Sequence, residues 1–234
     1  MAEQLIFELA RDASPGFDNF LTGDNGEVVA HLRAFAAGTL NETSVVLWGA
    51  RGSGKSHLVA AAIAQSAGPS CILQLEPLPV PEVEPGALYA VEDIDDLPDA
   101  AQAQLFTLYN ACRERGARLL MSARMPPAQA PLRDDLRTRA GWGLVLELKP
   151  LADADKPAAL AAFAVEHGFR LSNEVIGFLL SHVRRDMGTL LSTLRALDRY
   201  SLSTKRPVTV PLVRELLQPE MALEPRGPAP ESTG

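Results

Sequence analysis

The sequence has 234 residues, with 22 Lys+Arg against 29 Asp+Glu, a formal net charge of −7 with His neutral. That balance excludes a broad electrostatic attraction to nucleic acid or to an anionic membrane, leaving room only for a local basic patch. Hydrophobic residues at 47% against 22% charged support a buried core and argue against wholesale disorder. Two cysteines, Cys71 and Cys112, are too few for a disulfide framework and lack metal-ligand spacing. His31, His57, His167 and His182 are scattered, and no G-x-S-x-G nucleophile elbow is present. The start, Met1-Ala2-Glu3-Gln4, lacks the basic run of a signal peptide. No apolar run approaches the ~18 residues of a membrane span. The expectation is a soluble cytoplasmic protein with no membrane contact.

In chain order, residues 1–9 alternate Leu5, Phe7 and Leu9 with Ile6 and Glu8, a period of two that suits an extended segment. Residues 11–16 read as a linker, with Asp12, Ser14, Pro15 and Gly16. From 17 to 150 short apolar runs alternate with helical stretches. Strands are expected at 44–48, 71–75, 87–91, 118–122 and 144–148. Helices are expected at 27–37, 55–65 and 100–115, with a short one near 132–136. In 100–115, Leu105, Leu108, Tyr109 and Cys112 fall three and four apart, one buried stripe. Nearly all-apolar strands alternating with helices give an α/β fold, a parallel sheet flanked by helices. Residues 76–86, with Pro77, Pro79, Pro81 and Pro85, read as a stiff loop. After Pro150 the strand signal stops. Helices at 154–167, 173–183, 187–200 and 210–217 suggest a small all-helical domain over 151–218, with Asp153 and Ser172 as amino-terminal caps. Residues 219–234 contain four prolines and are expected to be a disordered tail.

The strongest chemical signal is Gly49-Ala50-Arg51-Gly52-Ser53-Gly54-Lys55-Ser56, which fits the phosphate-loop pattern G-x-x-x-x-G-K-[ST] between a strand and a helix. Glycines let the backbone wrap phosphates closely, with N–H groups pointing inward at the positive end of the helix. Lys55 supplies a charge to the outer phosphates, and Ser56 a hydroxyl to Mg²⁺. The bland alternative is a glycine-rich turn joining strand to helix. Residues 88–93, Leu-Tyr-Ala-Val-Glu-Asp, form an apolar run ending in Glu92 and Asp93, as a Walker B strand would. Side chains alternate along a strand, so only one of the two faces the metal. Glu92 stands where Asp is usual and would reach Mg²⁺ through water. Its extra methylene alters reach and angle, so intrinsic hydrolysis is expected to be weak or absent. The alternative here is a strand end with solvated acids from Glu92 to Asp96.

Together these residues resemble the AAA+ ATPases, and more narrowly the DnaA-type initiators, over residues 17–217. The resemblance implies a P-loop nucleotide-binding base with a helical lid, and ADP or ATP with Mg²⁺ as cofactors. The stretch Phe17-Asp18-Asn19-Phe20-Leu21-Thr22-Gly23-Asp24-Asn25 looks like the family segment that holds adenine, which implicates Phe17, Asn19, Phe20, Gly23 and Asn25. His57 continues the phosphate loop as in DnaA relatives. The run from Leu136 to Leu144 is similar to the arginine-finger segment, with Arg139 at the finger position. Arg184-Arg185-Asp186-Met187 matches the lid sensor, with Arg185 the better fit. Ser122-Ala123-Arg124-Met125-Pro126-Pro127 corresponds to the strand-end sensor run, but Arg124 replaces the usual acid.

A full initiator would add an amino-terminal interaction domain and a DNA-binding helix-turn-helix domain, so the sequence is most similar to the Hda family of short DnaA homologues. In that family an amino-terminal peptide binds the replicative sliding clamp, and Gln4-Leu5-Ile6-Phe7-Glu8-Leu9 looks like one, with Gln4, Leu5, Ile6, Phe7 and Leu9 as contacts. The resemblance implies a negative regulator of replication initiation. Bound to the clamp on DNA, it would stimulate hydrolysis of ATP held by the DnaA initiator, touching DNA only through the clamp. The alternatives are a self-hydrolysing helicase loader or remodeller, and a non-catalytic nucleotide-stabilised clamp adaptor. Homo-oligomerisation is compatible with all three. For Arg139 the dull reading is a salt bridge to Asp134 or Asp135. The basic lid residues Arg184, Arg195, Arg199, Lys205 and Arg206 read as a solvated helix face.

Overall fold

The computed structural model describes residues 14–75 and 80–217. The peptide at 4–9 and the segment at 219–234 therefore lie outside the described residues. The chain divides into two compact units between Ala152 and Asp153.

In the first unit five strands form one parallel sheet: β1 (Ser44–Trp48), β2 (Ser70–Ile72), β3 (Leu88–Val91), β4 (Arg118–Ala123) and β5 (Leu144–Glu147), in the order β2-β3-β4-β1-β5. Parallel pairing puts the carboxyl ends of all strands at one edge. With Trp48 opposite Ala123 and Val91 opposite Met121, the residues following β1, β3 and β4 leave the sheet side by side. The central strands β1, β3 and β4 are buried almost throughout, which requires apolar side chains on both faces.

Alternation divides those side chains between two cores. Val45, Leu47, Leu88, Ala90 and Leu120 pack with Leu32 and Phe35 of α1 (Gly26–Ala36) and Leu58 and Val59 of α2 (Lys55–Ala64). Val46, Tyr89, Val91, Leu119 and Met121 face the other way. They meet Leu105, Leu108, Tyr109 and Cys112 of α3 (Asp99–Arg115) and Leu136 and Ala140 of α4 (Asp134–Ala140). The expected α3 stripe is thus buried as a unit. The edge strand β2 ends at Ile72, short of the expected 75, because β3, its only neighbour among the described residues, has four residues; Leu73 adds one last bond to Ala90 O (2.8 Å).

The second unit is all-helical: α5 (Lys156–Glu166), α6 (Asn173–His182), α7 (Met187–Thr204) and α8 (Val210–Leu217). Leu160, Val175, Leu179, Leu190, Leu194, Leu197 and Val213 form its core. Ser172 caps α6 as expected, its hydroxyl accepting from Val175 N–H. Asp153 does not cap α5. The capping position belongs to Asp155, whose side chain makes no cap hydrogen bond, while Asp153 pairs with Lys156 and Arg185. Helix α7 runs past the expected residue 200, and Lys205 ends it with φ 53°.

Candidate functional site

The site begins where β1 stops. Gly49 N–H donates to Ala123 O (3.1 Å), and a Cβ at Gly49 would lie 2.3 Å from Leu148 O, so only glycine fits. Gly52 and Gly54 turn the loop with φ of 79° and 105°, and α2 starts at Lys55. A Cβ at Gly54 would also meet Phe20 Cε2 at 2.6 Å. The loop thus takes the wrapped form expected at a helix amino terminus that receives an anion. Lys55 is buried, and its Nζ donates to Gly49 O (2.7 Å) and Ala50 O (3.2 Å), curling back over the loop. Burial lowers its pKa, with Arg124 acting in the same direction and Asp93, Asp95 and Glu92 opposing. Ser56 is exposed at the first turn of α2 and Arg51 is exposed in the loop.

The strand-end acids separate as alternation requires. Glu92 is half-buried, and its Oε1 has no hydrogen-bond partner among the described residues. Asp93 is exposed with φ 49°, and its N–H donates to Ser122 Oγ on β4 (3.0 Å). Ser53 Oγ is likewise buried without a partner among the described residues. Two orphaned oxygens beside a glycine-built loop and a buried ammonium suit a phosphate group with a divalent cation: Lys55, Ser53, Ser56 and the loop N–H groups for the anion, Glu92 and Ser56 for the metal's water shell.

The acids from 92 to 96 are not all solvated. Asp95 is 5% exposed. Arg124 takes it as a partner, donating from Nε to Asp95 Oδ2 (2.8 Å) and from its own N–H to Asp95 Oδ1 (3.2 Å), and also pairs with Asp96. Arg124 is therefore a latch from the end of β4 to the turn after β3. Its pKa is raised by the Asp95 hydrogen bond and charge. The pairing of Asp95 with Arg124 and of Ser122 with Asp93 follows from strand neighbourhood, which is invisible without the sheet order.

The expected adenine segment lies against the loop, with its residues in different roles. Phe20 approaches the His57 ring (centroids 5.6 Å apart) and Gly54, and His57 Nε2 bonds Gly16 O (2.9 Å). Phe17 is 2% exposed and belongs to the core, with Arg33 over its ring. Asn19 ties the turn, accepting from Gly16 N–H and donating to Ser14 O. Asn25 is 3% exposed, and its amide exchanges hydrogen bonds with Lys149 O and N–H, each at 2.9 Å, which fixes the entry to α1. Gly23 turns with φ 48°. In the helical unit, Arg185 Nε donates to Leu180 O (2.9 Å) and Nη1 pairs with Asp153 Oδ2 (3.2 Å).

Arg139 sits in the last turn of α4, half-buried, with its guanidinium over the Trp142 ring (4.2 Å to the centroid) and near Phe106 (5.7 Å). Its salt bridge to Asp134 or Asp135 does not form, because Arg137 takes Asp134 and Arg133 takes Asp135. Among the described residues Arg139 has no carboxylate partner.

Residues 153–217 match the family model described as the lid domain of Hda. The helical unit thus resembles the Hda lid, and the solved structures below share the fold of the chain. Domain III of the Thermotoga maritima replication initiation protein DnaA is 19% identical, covers 90% of this chain and 98% of its own, and superposes with a TM-score of 0.71. DnaA from Aquifex aeolicus bound to AMPPCP is 15% identical over 82% of this chain and 67% of its own, with a TM-score of 0.65. A Thermotoga maritima RuvB variant gives 14% identity, coverage of 87% and 71%, and a TM-score of 0.67. The likeness to RuvB shows that the fold by itself does not choose among AAA+ functions. Among the described residues no helix is long and apolar enough to cross a membrane.

Proposed function

We propose that this chain binds an adenine nucleotide and, tethered to the sliding clamp on DNA, stimulates hydrolysis of the ATP held by the DnaA initiator. One observation carries the reading most directly: Arg139 is fixed at the molecular surface by an aromatic ring, with no carboxylate among the described residues neutralising it. Phosphoryl transfer needs positioned charge more than covalent chemistry, and a guanidinium supplied in trans can be worth ~10³–10⁵ in rate. The match to the Hda lid family and the AMPPCP-bound state of the A. aeolicus DnaA support the nucleotide and the DnaA connection.

Within the chain, Lys55, Ser53 and the N–H groups at the start of α2 would hold the phosphates, and Ser56 and Glu92 would hold Mg²⁺, which would supply charge neutralisation there. ADP as the working nucleotide suits Glu92 in place of Asp and Arg124 latched to Asp95, both of which disfavour brisk self-hydrolysis. Arg139 enters the composite site formed with an ATP-bound initiator. The segment at 4–9 holds the clamp, which raises the local concentration of the pair on replicated DNA.

The test mixes the full chain with ATP-loaded DnaA and clamp on DNA and follows conversion to ADP. The wild type accelerates conversion, Arg139→Ala loses at least 10²-fold of the acceleration while still binding nucleotide, and Gln4→Ala loses it unless the protein is in large excess. No acceleration in the complete mixture would refute the proposal. Steady hydrolysis by the chain alone, lost in Lys55→Ala, would make it a self-hydrolysing loader instead.

A further inference from the structure

The end of α4 places an exposed tryptophan directly on the candidate finger. Gly141 N–H donates to Arg137 O (3.2 Å) and Trp142 N–H to Arg139 O (3.1 Å), a tight turn that folds the chain back over the last helical turn. The next residue has no freedom: a Cβ on Gly143 would lie 2.2 Å from Ser44 O, and β5 then pairs Leu144 with Val45. Trp142 is therefore pinned on both sides by backbone. Yet the residue is 55% exposed, although the core around Leu136 and Ala140 lies close by. What covers the indole is cationic: Arg139 Cζ at 4.2 Å and Arg113 Cζ at 5.5 Å from the ring centroid.

We infer that Trp142 is a positioning residue for Arg139, holding the guanidinium in place while leaving its donors available. The chemistry of the contact selects this role. A carboxylate that oriented Arg139 would occupy its N–H groups and cancel its charge, whereas an aromatic ring contacts the π-face and leaves the in-plane donors unpaired. The nearby acids Asp134 and Asp135 are engaged by Arg137 and Arg133, which keeps them off Arg139. Phe106, 5.7 Å from Arg139 Cζ, lines the guanidinium with a second ring. Pinning the charge before the partner arrives removes part of the ordering cost of a flexible side chain. The inference rests on the finger reading of Arg139, and the experiment separates the two.

Three full-length variants, R139A, W142A and W142F, are compared in the reaction with ATP-loaded DnaA and DNA-loaded clamp. W142A lowers the maximal stimulated turnover roughly two- to fivefold, the scale of one exposed cation–π contact, with the half-saturating concentration unchanged. W142F recovers most of the loss. A readout without any partner accompanies it: the Arg139 Nε–H resonance of the wild type is shifted upfield by the indole ring current, and the shift disappears in W142A while circular dichroism is unchanged. Wild-type turnover in W142A, with R139A impaired, would overturn the positioning role and leave the finger intact. A change confined to half-saturation would also overturn it, since Trp142 would then be a docking contact. Full turnover in R139A would refute the finger and the positioning role together.

Discussion

Gly54 shows how a single residue constrains the phosphate loop twice. Its φ of 105° lies where side chains are strained, and the space a Cβ would fill belongs to Phe20. Gly54→Ala is expected to keep the sheet but weaken binding of a fluorescent ADP analogue at least tenfold, measured by titration; unchanged affinity would mean the loop reshapes freely. Lys55 is equally specific, because its buried ammonium faces two carbonyls that phosphate oxygens can replace. Cys112 is the inert counterpart: burial pushes its thiol up to about 12, so a maleimide should modify Cys71 in the folded chain and reach Cys112 only on unfolding. Equal labelling rates for the two thiols would contradict the described core.

Elements are held at their ends as much as along their faces. Asp186 caps α7, accepting from Thr189 N–H (2.9 Å) and from its hydroxyl (2.9 Å). Burial pushes this carboxyl up, but the Thr189 bonds and Arg184 outweigh it and leave its pKa below the ordinary value. A depressed native pKa stabilises the fold fully above the ordinary carboxylate pKa, and the benefit disappears as pH falls through the native value. Asp186→Ala should therefore cost about 1 kcal/mol at neutral pH, with the gap to wild type closing in acid, as read from urea midpoints. At the carboxyl end of α1, Arg118 donates to Phe35 O, Ala36 O (2.8 Å) and Gly86 O (3.1 Å), adding a charged donor to two helix-end carbonyls that also accept the N–H groups of Gly38 and Ala67. Arg118→Met keeps much of the volume but removes all three charged hydrogen bonds, an expected loss of about 1.5–3 kcal/mol in denaturant unfolding.

For the whole molecule, the three apolar clusters share no residue, and the one in the helical unit is separate from the two that sandwich the sheet. Leu194→Ala removes a fully buried side chain and should cost about 2–5 kcal/mol. Hydrogen exchange should then quicken in α5 to α8 well before β1, β3 and β4; equal acceleration in the sheet would show that the units unfold together. The sequence by itself determined the alternating strand–helix order, the α3 stripe and the phosphate loop, because periodicity and glycine chemistry are local. It also located the Ser172 cap. Edges and pairings were not local: β2 stops early for want of a longer neighbour, and Asp153 leaves its expected cap for Lys156 and Arg185. The ring of Trp142 turns back onto Arg139, three residues before it, where α4 ends at Gly141. Only the tertiary structure decided that Asp95 is buried against Arg124 and that Asn25 holds a backbone strand end, since each needs segments that the chain separates to meet across the sheet.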